Sequence, residues 1–225
     1  FVHGWMCNRG FWLPLLARMR AEGVPYATLD LEPVDAPIER HAEGIGALVD
    51  RLREAGHPAP LIVAHSMGGL AVRSWIAHGA VDTSRVASVI TLGTPHQGTA
   101  LAWSPQANVR QMRRRSPWLD ALARTERAQD AGARPPLTCF YSRCDNVVLP
   151  SSSAMLAGAD NRHVAGAAHV DLAFRPEVER EILRQARIGA PACDTRSVSP
   201  DEAGSSCSPA SNAPGSITGR SRSSR

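Results

Sequence analysis

The stretch that most restricts the fold of this chain is LIVAHSMGGLAVRSWIA, Leu61 to Ala77. Its first four residues read as a short strand buried on both faces. His65 to Gly69 then make a sharp turn, and apolar residues resume at helical spacing. A polar His-Ser pair at the carboxyl end of a buried strand needs a reason, and a turn built to hold up Ser66 supplies one. Such a turn strains the serine backbone, so the residues two positions away must be small. Here they are Ala64 and Gly68, and Gly69 lets the helix approach the sheet closely. The helix behind the turn aims its free N–H groups and its dipole at the same point.

Other segments repeat the strand–helix alternation. FVHG reads as the end of a buried strand, FWLPLLARMRAEG as a helix stopped at Gly23, and VPYATLDLE as a second strand. IERHAEGIGALVDRLREAG is an amphipathic helix with Ile45, Leu48, Val49 and Leu52 on one stripe. VASVITLGTP, PLTCFYSR and RHVAG read as further strands, and Pro176 opens a closing helix. This pattern predicts an α/β fold with a mostly parallel sheet and helices on both faces. Ligands of such sheets sit beyond the carboxyl ends of the strands, so the chemistry is expected there. With 225 residues, 43% of them hydrophobic, the chain is long enough for one such domain, expected over 1–189. Residues 190–225 are Ser, Pro, Gly and Ala with arginines near the end. They cannot bury enough surface to offset their ordering entropy, and a disordered tail is expected.

Charge and cysteines narrow the function classes. The net charge is +4, but every one of the 25 basic residues is arginine and several sit in the closing GRSRSSR. A basic tail on a nearly balanced body is not a nucleic-acid footprint. The five cysteines contain no CxxC pair, so neither a zinc site nor a disulfide framework is expected. Cys139 and Cys144 read as a small buried hydrophobe and a loop thiol, with pairing open only in an oxidising compartment. No apolar run reaches the ~20 residues of a membrane-spanning helix, and no signal peptide is visible. The chain opens on Phe1 rather than methionine, so upstream residues are expected to be missing and the compartment is not read from it.

Serine becomes a nucleophile only when a base takes its proton, and the base needs a third group to fix its tautomer. At this point AHSMGG resembles the nucleophile elbow of α/β-hydrolases, with Ala64 in place of the usual first glycine. VHGW resembles their His-Gly oxyanion loop, SRCDNVVLP the acid loop and GAAHVDL the histidine loop. TLGTPHQGT is similar to a stretch of bacterial triacylglycerol lipases and related esterases. The resemblance covers residues 1 to about 187, in the family order Ser, Asp, His.

The resemblance implies an α/β-hydrolase fold, no metal or organic cofactor, and a small-molecule or lipid ester substrate, with lipid-interface contact. Ser66 would attack an ester carbonyl, His169 would carry the proton, and Asp145 would orient His169. The N–H groups of Met67 and Trp5 would form the oxyanion hole, with Met6 an alternative to Trp5. Asp160, in the turn GADN, and Asp171, read as a helix cap, compete with Asp145. His65 is expected to pack beneath the loop, His3 to brace the oxyanion loop, and His96 to be structural. The same triad would also serve a thioesterase, an amidase or a glycolipid deacylase, and a non-catalytic binding protein is the rival outside enzymology.

Two further expectations concern the architecture. Residues 100–134 carry Trp103, Val109, Met112, Trp118, Leu119 and Leu122 beside the run Arg113–Arg115. They read either as a lid over an acyl pocket or as a helix covering the sheet, with a solvated arginine face. In the resembling fold the strand ending at FVHG is central and two strands precede it. Without them, a sheet opened at an inner strand is expected to expose backbone groups and to fold poorly alone.

Overall fold

The computed structural model describes residues 1–79, 81–82, 84–129 and 134–188. The expected tail over 190–225 lies outside them. Four parallel strands lie side by side in chain order: β1 (Leu61–His65), β2 (Ser88–Leu92), β3 (Leu137–Tyr141) and β4 (Asp160–His163). The helices are α1 (Leu13–Ala21), α2 (Ile38–Glu54), α3 (Met67–Gly79), α4 (Ala107–Gln111), α5 (Pro117–Ala128) and α6 (Pro176–Ile188).

Alternation along the strands sorts the core into two layers. Val63, Ile90, Leu92 and Phe140 meet α1 and α6 through Leu16, Met19, Val178 and Ile182. Ile62, Ala64 and Val89, one residue out of step, meet α2 and α3 through Ile45, Val49, Leu70 and Trp75. The sheet is therefore covered on both faces at β1 to β3, whose strands are mostly apolar, while the edge strand β4 (Asp-Asn-Arg-His) is polar and partly exposed.

Two strands expected at the start of the chain are realised as single bridges. Val2 bridges Ala64 on one side and Leu29 on the other, so residues Phe1 and Val2 are flanked by neighbours in the sheet. Val2 N–H donates to the Val63 carbonyl and His65 N–H to that of Val2, both at 2.9 Å. The segment around Leu29 is held to this stretch by Leu29 N–H donating to the Phe1 carbonyl at 3.2 Å and by the Phe1 amino group donating to the Ala27 carbonyl at 2.8 Å. The last strand, β4, starts two residues before the expected RHVAG.

The excursion after β2 forms α4 and α5, and the apolar side chains of these two helices turn inward, whereas Leu101 and Trp103 ahead of them stay exposed. Val109, Met112 and Leu119 join the layer of α2 and α3. Ser116 caps α5, its hydroxyl accepting from Leu119 N–H. Arg73 on α3, nearly enclosed, grips both carboxylate oxygens of Glu126 on α5 at 2.8 and 2.6 Å. The same guanidinium donates to the His96 carbonyl at 3.0 Å, and the His96 ring lies 3.1 Å from the Thr91 hydroxyl. His96 thus stands in a buried polar network beneath α5. Cys139 is buried in β3 and Cys144 is exposed in the loop after it, both as free thiols.

Candidate active site

The turn after β1 is as tight as its small residues require. Ser66 has φ +53°, a left-handed conformation that L side chains rarely adopt. Its N–H donates to the Leu92 carbonyl at 2.9 Å, and its own carbonyl accepts from Gly69 at 3.1 Å. A Cβ on Gly68 would lie 2.4 Å from the His3 carbonyl oxygen, so α3 starts in direct contact with the chain after Val2. A Cβ on Gly69 would strike the Thr94 hydroxyl at 2.1 Å. Met67 is the first residue of α3, where N–H groups have no carbonyl one turn behind them.

The loops after β3 and β4 bring Asp145 and His169 together. His169 Nδ1 donates to Asp145 Oδ2 at 2.9 Å, with both side chains almost fully buried. The other carboxylate oxygen, Oδ1, accepts from Val147 and Val148 N–H, each at 2.8 Å. Burial alone would raise the Asp145 carboxyl. The His169 hydrogen bond and charge and the two backbone donors outweigh it, holding the group below its ordinary range. An ionised carboxylate only accepts, so Nδ1 carries the hydrogen, and the neutral tautomer this selects is the one with its lone pair on Nε2.

The rival acids are engaged elsewhere. Asp160 lies on β4 and pairs with Arg162. Asp171 opens a short 3-10 helix over Asp171–Phe174, and its carboxylate faces Ala168 N–H at 3.4 Å, upstream of the helix rather than inside it. Of the three carboxylates, only Asp145 meets His169.

His65 packs beneath the loop in a specific way. Its ring stacks on Phe11 at 4.5 Å and lies 4.7 Å from the His169 ring. Its Nε2 donates to the backbone carbonyl of His169 at 3.2 Å, so the residue before Ser66 is tied to the histidine loop. Burial, followed by the nearby His169, pushes His65 down to about 3, and it stays neutral. Asn146 adds a second tie, its side-chain oxygen accepting from His169 N–H at 3.2 Å. Neither contact was legible in the sequence, although Asn146 sits in the acid loop SRCDNVVLP.

His3 braces the loop that follows Val2. Its Nδ1 donates to the Gly4 carbonyl at 2.8 Å and its Nε2 accepts from Leu31 N–H at 3.0 Å. Trp5 packs its side chain against the core of α2 and α3. Met6, also in the left-handed region at φ +58°, points outward and is 65% exposed. Among the described residues the Ser66 hydroxyl makes no hydrogen bond; the closed pair is Asp145–His169. Such bonds are often long before substrate arrives. A separate apolar cavity of about 570 Å³, lined by Tyr26, Leu48, Leu52, Ala87 and Ile182, opens at the amino ends of the strands and shares no residue with this cluster.

A serine on a strained strand–helix turn, with a buried imidazole–carboxylate pair at the carboxyl ends of a parallel sheet, defines a class of α/β protein built for hydrolysis. The chain belongs to the alpha/beta hydrolase family, which it matches over residues 1–200. Its fold is similar to that of the mature lipase BlEst2 of Bacillus licheniformis, at 17% identity and a TM-score of 0.72, covering 83% of this chain and 90% of that one. It is also similar to lipase B of Aspergillus fumigatus (17%, TM-score 0.65, 79% and 49% covered). A third likeness is to the monoacylglycerol lipase of Paleococcus ferrophilus (15%, TM-score 0.58, 84% and 93% covered). No curated protein matches the sequence.

Proposed function

We propose that this protein is a serine hydrolase that cleaves carboxylic esters of the lipase and esterase type. The observation that carries this reading is the buried Asp145–His169 pair, coupled through His65 to a serine held at φ +53°. Ser66 Oγ attacks the ester carbonyl carbon while His169 Nε2 takes its proton. The tetrahedral oxyanion forms against the N–H groups of Met67 and Trp5, each worth about 2.7–4 kcal/mol in such sites. Collapse expels the alcohol, which takes the proton from His169, and leaves an acyl group on Ser66. Water, deprotonated by His169, then releases the acid and restores the serine. Asp145 keeps the proton on Nδ1 and stabilises the imidazolium formed in each half.

The test combines labelling with turnover. A fluorophosphonate probe should label the protein but not Ser66→Ala, and p-nitrophenyl esters of graded chain length should be turned over. Asp145→Asn should lower kcat by about 10⁴-fold, as a wrong tautomer does, while Asp160→Asn should leave it unchanged. Labelling that survives Ser66→Ala, or damage from Asp160→Asn in place of Asp145→Asn, overturns the assignment. A folded protein that neither labels nor turns over any ester overturns the hydrolase reading itself.

A further inference from the structure

Seven of the nine large apolar side chains left exposed among the described residues stand on loops at one end of the sheet; the other two are Leu13 at the start of α1 and Ile188 at the end of α6. Val147 and Leu149 stand on the loop that carries Asp145, and Val170 and Phe174 follow His169. Met6 stands on the loop after Val2, and Leu101 and Trp103 follow β2. All of these segments leave the carboxyl ends of parallel strands, around Ser66. Trp103 is 80% exposed, an unusual position for a side chain with so much apolar area.

Trp103 is not on a loose loop. Thr99 donates from its hydroxyl to the Val147 carbonyl at 2.7 Å, and Ala100 N–H donates to the Leu149 carbonyl at 2.9 Å. Arg113 binds three successive carbonyls, those of Ala102, Trp103 and Ser104, at 2.8, 3.3 and 3.2 Å. The backbone under Leu101 and Trp103 is thus fastened to the acid loop on one side and to an arginine on the other. The indole is presented from a fixed platform continuous with Val147 and Leu149.

The charge beside this platform is unbalanced. Arg110, Arg113, Arg114 and Arg115 are exposed, and no Asp or Glu occurs between Leu101 and Leu119. None of the four makes an ion pair among the described residues, so four adjacent guanidinium groups stand unpaired on one short stretch. Aromatic and aliphatic side chains beside unneutralised guanidinium groups match the boundary of an anionic lipid layer, apolar below and negative above. A second copy of the chain docked through the same patch would bring these four cations face to face.

We propose that the loop around Leu101 and Trp103, with Arg110–Arg115, docks this protein on an anionic phospholipid bilayer and faces its mouth toward the lipid. That the mouth then cleaves lipid esters rests on the function proposed above; the docking does not. The test uses the full chain with sedimented vesicles of phosphatidylcholine, with and without phosphatidylglycerol. Binding should require phosphatidylglycerol and weaken with added salt, a readout that needs no variant. Trp103→Ser should lower partitioning roughly tenfold. Arg114→Gln with Arg115→Asn should lower it about 30-fold, at roughly fivefold for each cation near the surface. Both variants should turn over soluble p-nitrophenyl acetate like the parent, and Ser66→Ala should bind vesicles like the parent.

No binding to anionic vesicles, equal binding without phosphatidylglycerol, or full binding by the folded variants overturns the proposal. So does a lipid-free dimer, seen by sedimentation velocity, that Trp103→Ser abolishes. A protein that binds vesicles but takes no fluorophosphonate label would instead sink only the ester-cleaving reading.

Discussion

Gly68→Ala is the smallest change that tests how the serine turn is held. The new methyl would lie 2.4 Å from the His3 carbonyl oxygen, 2.9 Å from that of Val2 and 3.0 Å from Val2 Cγ1. Ordinary contact begins near 3.4 Å, so something must retreat by about 1 Å. The nearest obstacles are backbone atoms, and Val2 is held by hydrogen bonds to Val63 and His65. The start of α3 therefore has to yield, carrying Met67 and Ser66 with it. Overpacking of this kind costs about 1–3 kcal/mol, against a gain of about 0.8–1 kcal/mol from alanine's helix propensity. A net loss of up to about 2 kcal/mol is expected in urea unfolding. A displacement near 1 Å at the nucleophile should lower kcat/KM on p-nitrophenyl butyrate by about a hundredfold. Gly44→Ala on α2 is the control, since its methyl meets only Leu29 Cδ2 at 3.8 Å. It should be stable to within about 1 kcal/mol of the parent or better, with full turnover. Gly68→Ala with the stability and kcat/KM of the parent would refute the reasoning.

Two other outcomes follow from the buried histidines and from the strained serine. His65, pushed to about 3 by burial and then by His169, and His96, held well below 6.5 by burial and then by Arg73, are both neutral in the fold. The unfolded chain takes up these protons below about pH 6.5, so the stability is present above that value and lost as pH falls. Between pH 7 and 5 His65 should cost about 2 kcal/mol in urea unfolding, with His96 acting in the same direction, and a flat profile over that range would contradict the burial of both rings. Ser66→Gly removes a left-handed strain of about 1–2 kcal/mol that Ser66→Ala retains. It also adds about 0.4–1 kcal/mol of unfolded-state entropy. Neither variant should label, and Ser66→Gly should melt no lower than Ser66→Ala; the reverse order would mean that the turn is relaxed.

Local rules made the frame readable and left the long-range ties hidden. The buried strands announced themselves as short apolar runs between turn residues, and the serine turn by the small residues it demands. Parallel order then brings all strand ends to one side, so that Asp145 and His169, each on a loop after a strand, can meet. The weak pairing at Leu29 was less legible, because alternation shows which face a residue buries and not how many backbone bonds its segment makes. The Arg73–Glu126 pair joins α3 to α5 across 53 positions, and no periodicity in either helix announces it. The excursion after β2 was open between a lid and a sheet-covering helix for the same reason. The inward packing of Val109 and Leu119 and the grip of Arg73 on Glu126 are three-dimensional facts. His65 was legible as a buried residue, but its bond to a carbonyl 104 positions away was not.

That bond bears on why a histidine can precede the serine at all. On the proposed reading, a positive charge forms on His169 in each half of the reaction. A protonated His65, with its ring 4.7 Å away, would oppose that charge by about 3–4 kcal/mol at an effective dielectric near 20. Such a penalty would cancel much of what Asp145 contributes from the other side. Burial against Phe11 removes the conflict by keeping His65 neutral, and a neutral imidazole still has the one N–H that holds the His169 backbone. Asparagine or glutamine could offer a similar donor, but not a ring that fills the space between Phe11 and His169. The histidine therefore serves as a flat, uncharged spacer with one donor, and this role depends on its being denied the proton it would carry in water below about pH 6.5.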